Sequence, residues 1–233
     1  MKSFILMTTG RAGSTALMDS LAIFEDIAVP NKQIECRDNE ILHPGYVKQY
    51  ALIYQKITGL NVQNERDLIN AFYNSNKHFD YAGFKSMPNR HPHFLELISN
   101  KKIQIITLHR NDIASTVASF IIASDANTWR REGGEQPNNF TFGVDYEKRA
   151  FSHLLYIVQS WQRLKIIPNA IHLTYEDLCS DDFNNAQLDE YFQRNIKLMS
   201  PKKPTFAEHY VDNWQEFSTF IDIQFKKIMS KKA

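Results

Sequence analysis

One stretch near the start of the chain, running from Ser3 to Leu21, constrains the fold most: S-F-I-L-M-T-T-G-R-A-G-S-T-A-L-M-D-S-L. Its short apolar run at residues 4–7 predicts a buried β-strand that is broken at Gly10. The four-residue spacing of Leu17 and Leu21 predicts a helix with one apolar face directly after the break. A strand, a turn of small residues and a helix N-terminus form an anion site, because free N–H groups and the positive end of the helix dipole meet there.

The turn itself carries groups that suit an anion. Arg11 adds a positive charge, while Ser14 and Thr15 can donate hydroxyl groups or cap the helix. The stretch differs from the ATPase P-loop, G-x-x-x-x-G-K-[ST], because Gly10 and Gly13 are only three positions apart and no lysine follows. Taken alone, the stretch also fits an ordinary strand-to-helix connection. Other parts of the chain must therefore show whether it is an anion-binding loop.

A second strand, turn and helix lies in the middle of the chain. The β-branched run from Ile103 to Leu108 predicts a central strand, and Asp112 is a candidate N-cap for the helix that follows. Arg110 therefore stands at the carboxyl end of a strand. Ligands of open α/β sheets bind at the edge formed by the carboxyl ends of the strands. We therefore expect Arg110 to lie at the same edge as the first turn.

The alternation of strands and helices continues to residue 178, with a long helix from about residue 146 and a strand over 170–174 before T-Y-E-D-L. This pattern predicts an α/β, P-loop-like three-layer fold with a central, mostly parallel sheet flanked by helices. All 233 residues are expected to form one domain. Two segments depart from the alternation: an aromatic-rich helical insertion at about 36–80 on the substrate side, and a loop at about 127–144 whose turn residues predict mobility.

Composition excludes several classes of function. A net charge of +1 gives no overall attraction to nucleic acid, and two cysteines are too few for a disulfide framework or a zinc cluster. No cluster of metal ligands stands out, so no metal is expected. The first apolar run is too short for a signal peptide. No apolar run approaches the length of about 18 residues that a membrane span needs. These two observations predict a cytoplasmic protein. Oligomeric state is not indicated.

A series of short blocks, in order along the chain, resembles the sulfotransferases that use 3′-phosphoadenylyl sulfate, especially the bacterial carbohydrate type that includes trehalose and Nod-factor sulfotransferases. T-G-R-A-G-S-T-A-L is similar to the family's R-S-G-S-T-x-L loop, G-F-K-S-M-P to its G-x-K-x-M strand, and L-H-R-N-D-I-A-S-T-V-A-S-F to its R-x-D-x-x-x-x-A-x-S block. N-T-W-R at 127–130, T-Y-E-D-L at 174–178 and D-N-W at 212–214 complete the series.

The resemblance implies how the 5′-phosphosulfate of the donor would be bound. Backbone N–H groups of four loop residues would cradle the 5′-phosphate: Ala12, Gly13, Ser14 and Thr15. Arg11 stands where the family has the basic residue that binds this phosphate as negative charge builds on it.

The resemblance also implies a 3′-phosphate site, formed by Arg110 and Ser119. Ser115, one helical turn earlier, is the alternative to Ser119.

Further residues are implied to take part in the reaction. Met87 stands where the animal cytosolic enzymes have a catalytic histidine. The bacterial carbohydrate type uses a glutamate as general base, and Glu35 is its nearest counterpart; His109, beside Arg110, is the runner-up base. Lys85 would either touch the bridging oxygen of the donor or support its strand. The resemblance thus predicts sulfuryl transfer from 3′-phosphoadenylyl sulfate, without a metal, to a hydroxyl of a carbohydrate, a glycolipid or another small molecule.

Two other functions remain open at this point. One is a small-molecule kinase of the P-loop class, which would need a P-loop lysine and a strand-end aspartate for Mg²⁺. The other is a catalytically inactive nucleotide-binding protein. No nucleic-acid partner is expected in any of the three cases.

Overall fold

Five parallel strands form the central sheet of the computed structural model, which describes residues 1–34, 39–90, 94–125, 139–180, 183–198 and 207–231. The strands are β1 (Lys2–Thr8), β2 (Ile27–Ala28), β3 (Tyr81–Ser86), β4 (Ile103–His109) and β5 (Ile171–Thr174). Their order across the sheet is β2-β3-β1-β4-β5, and every pair of neighbours is parallel. The predicted α/β fold with a parallel sheet between helices is confirmed.

The described helices include those that connect the strands, which follow the predicted alternation, and further helices after β5. They are α1 (Ser14–Ala22), α2 (Pro30–Gln33), α3 (Val47–Thr58), α4 (Glu65–Ser75), α5 (Phe94–Ser99), α6 (Ile113–Asp125), α7 (Val144–Lys165), α8 (Tyr175–Leu178), α9 (Ala186–Phe192) and α10 (Trp214–Ser230). Two 3₁₀ turns, Pro88–Arg90 and Ala207–Tyr210, complete the described elements.

Hydrophobic clusters cover both faces of the sheet. On one face, strand residues such as Ile5 and Phe84 share a cluster with residues of α3, α4 and the end of α7. On the other face, Phe4 and Leu108 share a cluster with residues of α1, α8 and α9. A third cluster joins α6, α7 and α10 without any strand residue. Because β1 is buried on both faces, its apolar residues are continuous rather than alternating.

Gly83 allows an unusually close approach between β3 and β1. It is paired in register with Phe4, whose ring lies directly over the glycine backbone. A Cβ atom at this position would lie 2.5 Å from three carbon atoms of the Phe4 ring. Only the absence of a side chain at residue 83 leaves room for this ring in the core.

The aromatic residues of the segment before β3 mainly fill the core. Tyr50, Tyr54 and Phe72 are buried, and the rings of Phe72 and Phe84 meet edge-to-face with centroids 5.6 Å apart. Helix α3 lies within the segment predicted to be helical at about 36–80, and its C-cap, Gly59, has the left-handed conformation that often terminates helices.

None of the helices in the described ranges is both long and apolar enough to cross a membrane.

Candidate anion-binding site

The loop after β1 has an unusual backbone. Gly10, Arg11 and Gly13 all have positive φ angles, of 80°, 54° and 81°. This region is open to glycine but costs other residues about 1–2 kcal/mol, so Arg11 is held there by its surroundings. The Gly10 N–H donates to Thr8 Oγ1 at 3.3 Å, which tightens the turn. Successive N–H groups in such a turn form a concave surface that suits anions.

The N-terminus of α1 opens onto this loop. Gly13 is the N-cap residue and provides no side-chain cap for the first N–H groups of the helix. These groups have no partner within a helix, and the helix dipole adds positive potential around them. The structure therefore brings the predicted cradle residues, numbers 12–15, together at the carboxyl end of the central strand.

Side chains of two helices pack closely on the two glycines of the loop. A Cβ atom at Gly10 would lie 3.0 Å from Cζ of Phe120 on α6. A Cβ atom at Gly13 would lie 3.2 Å from Leu178 and 3.3 Å from the ring of Tyr175, both on α8. The loop is thus enclosed by α6 on one side and by α8 on the other.

Arg110 lies beside this loop, at the end of β4. Its side chain is only 6% exposed, and its guanidinium carbon stands 4.5 Å from the centre of the Tyr175 ring. Asp112 Oδ2 lies 3.8 Å from Nη2 of the same arginine. Because the Tyr175 ring also adjoins Gly13, one aromatic side chain contacts both predicted anion-binding elements.

Helix α8 is tied to the turn between β4 and α6. The Glu176 carboxylate accepts hydrogen bonds from the N–H groups of Asn111, at 3.1 Å, and Asp112, at 3.3 Å. Asp112 in turn accepts a hydrogen bond from the Ser115 N–H at 2.9 Å, so it caps α6 as predicted. These bonds fix the backbone from which Arg110 projects.

Ser119 contacts the first loop. Its Oγ accepts a hydrogen bond of 3.0 Å from Nε of Arg11. Ser115 is buried one turn nearer the start of α6. The assignment of either serine to a 3′-phosphate stays a prediction.

The predicted catalytic residues are not all described. Lys85 is almost fully buried in β3, next to Ser86, whose hydroxyl has no hydrogen-bond partner among the described residues. Glu35 and the block at 127–130 lie outside the described residues. Of the loop predicted at 127–144, only its last part is described, and there Phe140 and Phe142 are buried and hydrogen-bonded to residues 210–213.

Sequence reasoning missed one wall of the site. Tyr156 of α7 donates a hydrogen bond of 3.2 Å to Sδ of Met87, and the methyl group of Met87 lies next to Gly10. His153, one turn earlier, stacks on Phe120 with ring centres 5.4 Å apart. Burial lowers the pKa of His153, and Arg149 lowers it further. His153 and Tyr156 are three residues apart and therefore lie on one face of α7. This spacing is the sequence signal that could have identified them.

Stability is expected to fall as the pH drops below about 6.5. Burial is the main cause that lowers the pKa of both His109 and His153 in the folded protein. The unfolded chain therefore binds more protons below that pH, which favours unfolding. Urea unfolding at pH 7.5 and 5.5 measures this loss. Replacing both histidines by glutamine should reduce this loss of stability; an equal loss in the wild-type and the doubly substituted protein would contradict the explanation.

No three side chains of His, Cys, Asp or Glu within the described ranges are arranged to hold a metal ion.

No protein-family model matches the chain, and no curated protein matches its sequence.

Proposed function

We propose that this protein is a sulfotransferase that moves a sulfuryl group from 3′-phosphoadenylyl sulfate to a hydroxyl of a carbohydrate, glycolipid or other small-molecule acceptor. The observation that carries the proposal is the contact of Tyr175 with both Gly13 and Arg110. It brings a loop suited to one phosphate close to a buried arginine suited to another. The donor carries two such groups, at the 5′ and 3′ positions of one ribose.

The residues present suit an anionic donor. The two glycines supply positive φ angles to the turn, and the N–H groups at the start of α1 would donate to the 5′-phosphate. Arg110 would offer a planar, permanently charged group to the 3′-phosphate. When bound, the donor supplies the sulfuryl group, and 3′,5′-phosphoadenosine is the leaving group.

In the proposed reaction the protein positions the two substrates and stabilises charge. Arg11 and the loop N–H groups would stabilise negative charge as it develops on the leaving phosphate. A general base would accept the proton of the acceptor hydroxyl, which typically contributes about 10²–10⁴-fold. Glu35 and His109 are the candidates. The lowered pKa of His109 keeps its imidazole neutral at pH 7, so it is able to accept a proton.

The residues of the loop after β1 and at the end of β4 do not support a P-loop kinase. A P-loop kinase needs a lysine after the second glycine, where this chain has Ser14. It also needs an aspartate at a strand end to hold Mg²⁺, and β4 ends at His109, followed by Arg110 and Asn111.

Calorimetric titration tests the donor site. We expect the protein to bind 3′,5′-phosphoadenosine with micromolar affinity and to bind ATP–Mg²⁺ much more weakly. Equal binding of ATP–Mg²⁺, or no binding of the bisphosphate, would overturn the proposal. Transfer of radioactive sulfate from labelled donor to a panel of sugars, glycolipids and phenols then separates an active enzyme from an inactive nucleotide-binding protein.

A further inference from the structure

Met87 lies between the anion-binding loop and helix α7. It follows β3 directly and is half-buried. Its Cε atom is 3.5 Å from the position that a Cβ atom of Gly10 would take, so its methyl group packs on the loop where the backbone turns. Its Sδ atom accepts the hydrogen bond of 3.2 Å from the Tyr156 hydroxyl on α7. The thioether thus contacts both elements.

The described methionines differ in how far solvent reaches them. Met7 and Met18 are fully buried in the core, whereas Met1 is 48% exposed. Met229 on α10 is half-buried like Met87, and its Sδ likewise accepts a hydrogen bond, of 3.5 Å, from a side-chain amide of α7. Met87 therefore combines partial access to solvent with a contact to the loop, and Met229 provides a matched comparison on another helix.

Oxidation would change both the polarity and the shape of the Met87 side chain. Hydrogen peroxide transfers one oxygen atom to Sδ: the S–O bond forms as the O–O bond of the peroxide breaks, the sulfur is oxidised, and water leaves. A thioether sulfur is only a weak hydrogen-bond acceptor. The sulfoxide oxygen is polar and carries partial negative charge, so the Tyr156 hydroxyl would donate to it more strongly than to the sulfur.

We propose that Met87 is an oxidation site, and that its sulfoxide weakens the binding of an anion to the loop after β1. The hydrogen bond from Tyr156 would retain the new oxygen atom beside the loop. There the larger side chain crowds Gly10, which already packs against Phe120, and the negative end of the S–O dipole opposes a bound anion. The oxidation is independent of the proposed function, whereas its effect on the donor rests on that function, because the loop would hold the 5′-phosphate.

Peptide mapping by mass spectrometry tests the oxidation site. After treatment of the folded protein with hydrogen peroxide, Met87 should be converted to the sulfoxide while Met7 and Met18 stay unmodified. Treatment of the protein unfolded in urea should oxidise all three residues. A Met87 side chain that stays as unreactive as Met7 and Met18 in the folded protein would overturn the proposal.

Calorimetric titration with 3′,5′-phosphoadenosine tests the effect on binding. The peroxide-treated wild-type protein should bind about five- to tenfold more weakly than the untreated protein. Each variant is compared with its own untreated form. Met87→Leu removes the sulfur, so its affinity should not change on treatment even though Cys179 is still present, whereas Met229→Leu should lose affinity as the wild type does. A thiol-dependent methionine sulfoxide reductase, which returns the sulfoxide to the thioether as two thiols form a disulfide and water leaves, should restore binding.

The outcomes of the two experiments are distinct. Untreated wild-type protein that does not bind the bisphosphate would overturn the proposed function and with it the effect on binding, while the peptide map still decides whether Met87 is an oxidation site. An oxidised Met87 with unchanged affinity, or an equal loss of affinity in Met87→Leu, would overturn the effect on binding and leave the proposed function intact.

Discussion

The Arg110→Ala variant is expected to bind 3′,5′-phosphoadenosine about 10- to 100-fold more weakly than the wild-type protein, the usual range for a lost hydrogen bond to a charged group. The guanidinium is buried against Tyr175, where water screens its charge poorly. Calorimetric titration measures the loss. The affinity for adenosine 5′-monophosphate should change much less, because that nucleotide lacks the 3′-phosphate.

Two further variants show whether the loss comes from the site. Arg66→Ala removes an exposed arginine that is paired with Glu96, and it should leave binding unchanged. Arg110→Lys keeps the charge but loses the planar group, so an intermediate affinity is expected. Circular dichroism and thermal unfolding show whether each variant is folded. An Arg110→Ala variant that is folded and binds the bisphosphate normally would show that the 3′-phosphate lies elsewhere.

Replacing Gly83 by alanine should lower the free energy of unfolding by about 3 kcal/mol, at the upper end of the cost of overpacking a core. The new methyl group would lie 2.5 Å from the Phe4 ring, which is buried between β1 and the helices. The backbone of β3 is paired with β1, and the buried Phe4 ring is packed edge-to-face on Phe192, so both are constrained by their neighbours. Urea unfolding followed by tryptophan fluorescence measures the change.

Gly143→Ala is the matched control, because nothing lies within 4 Å of a Cβ atom there and the residue has an extended backbone. Its cost should stay below about 1 kcal/mol, since only the N-cap of α7 is affected. Combining Gly83→Ala with Phe4→Leu should recover part of the loss, because the smaller side chain gives the methyl group room. Equal costs for the two glycine variants would contradict the steric explanation.

The fold was predictable where a local pattern was long enough. The continuous apolar run of β1 and the β-branched run of β4 indicated central strands, and both lie in the middle of the sheet. Strand β2 was missed because it has only two residues, Ile27 and Ala28. No periodicity marks so short a strand, and it exists because Ile27 pairs with Tyr81 on β3.

The positions of the two turns of the candidate site were predictable from the sequence, and the contacts between their side chains were not. The positions of the Arg11 loop and of Arg110 follow from the ends of two parallel strands, which meet at one edge of a sheet. The contact of Arg110 with Tyr175 and that of Arg11 with Ser119 join residues far apart in the chain. Such pairs depend on how helices pack, which no motif in a single sequence specifies.

The central position of β1 has a consequence for how the chain reaches its native state. Strand β1 precedes its two neighbours in the chain, so it gains its first partner only after residues 81–86 of β3 have been made and its second only after residues 103–109 of β4 have been made. Folding must therefore close loops of roughly 75 and 100 residues before β1 has both partners, which slows the process. Until then the apolar run Phe4–Met7 is available to other chains, so newly synthesised protein should be most prone to aggregation before β4 is complete.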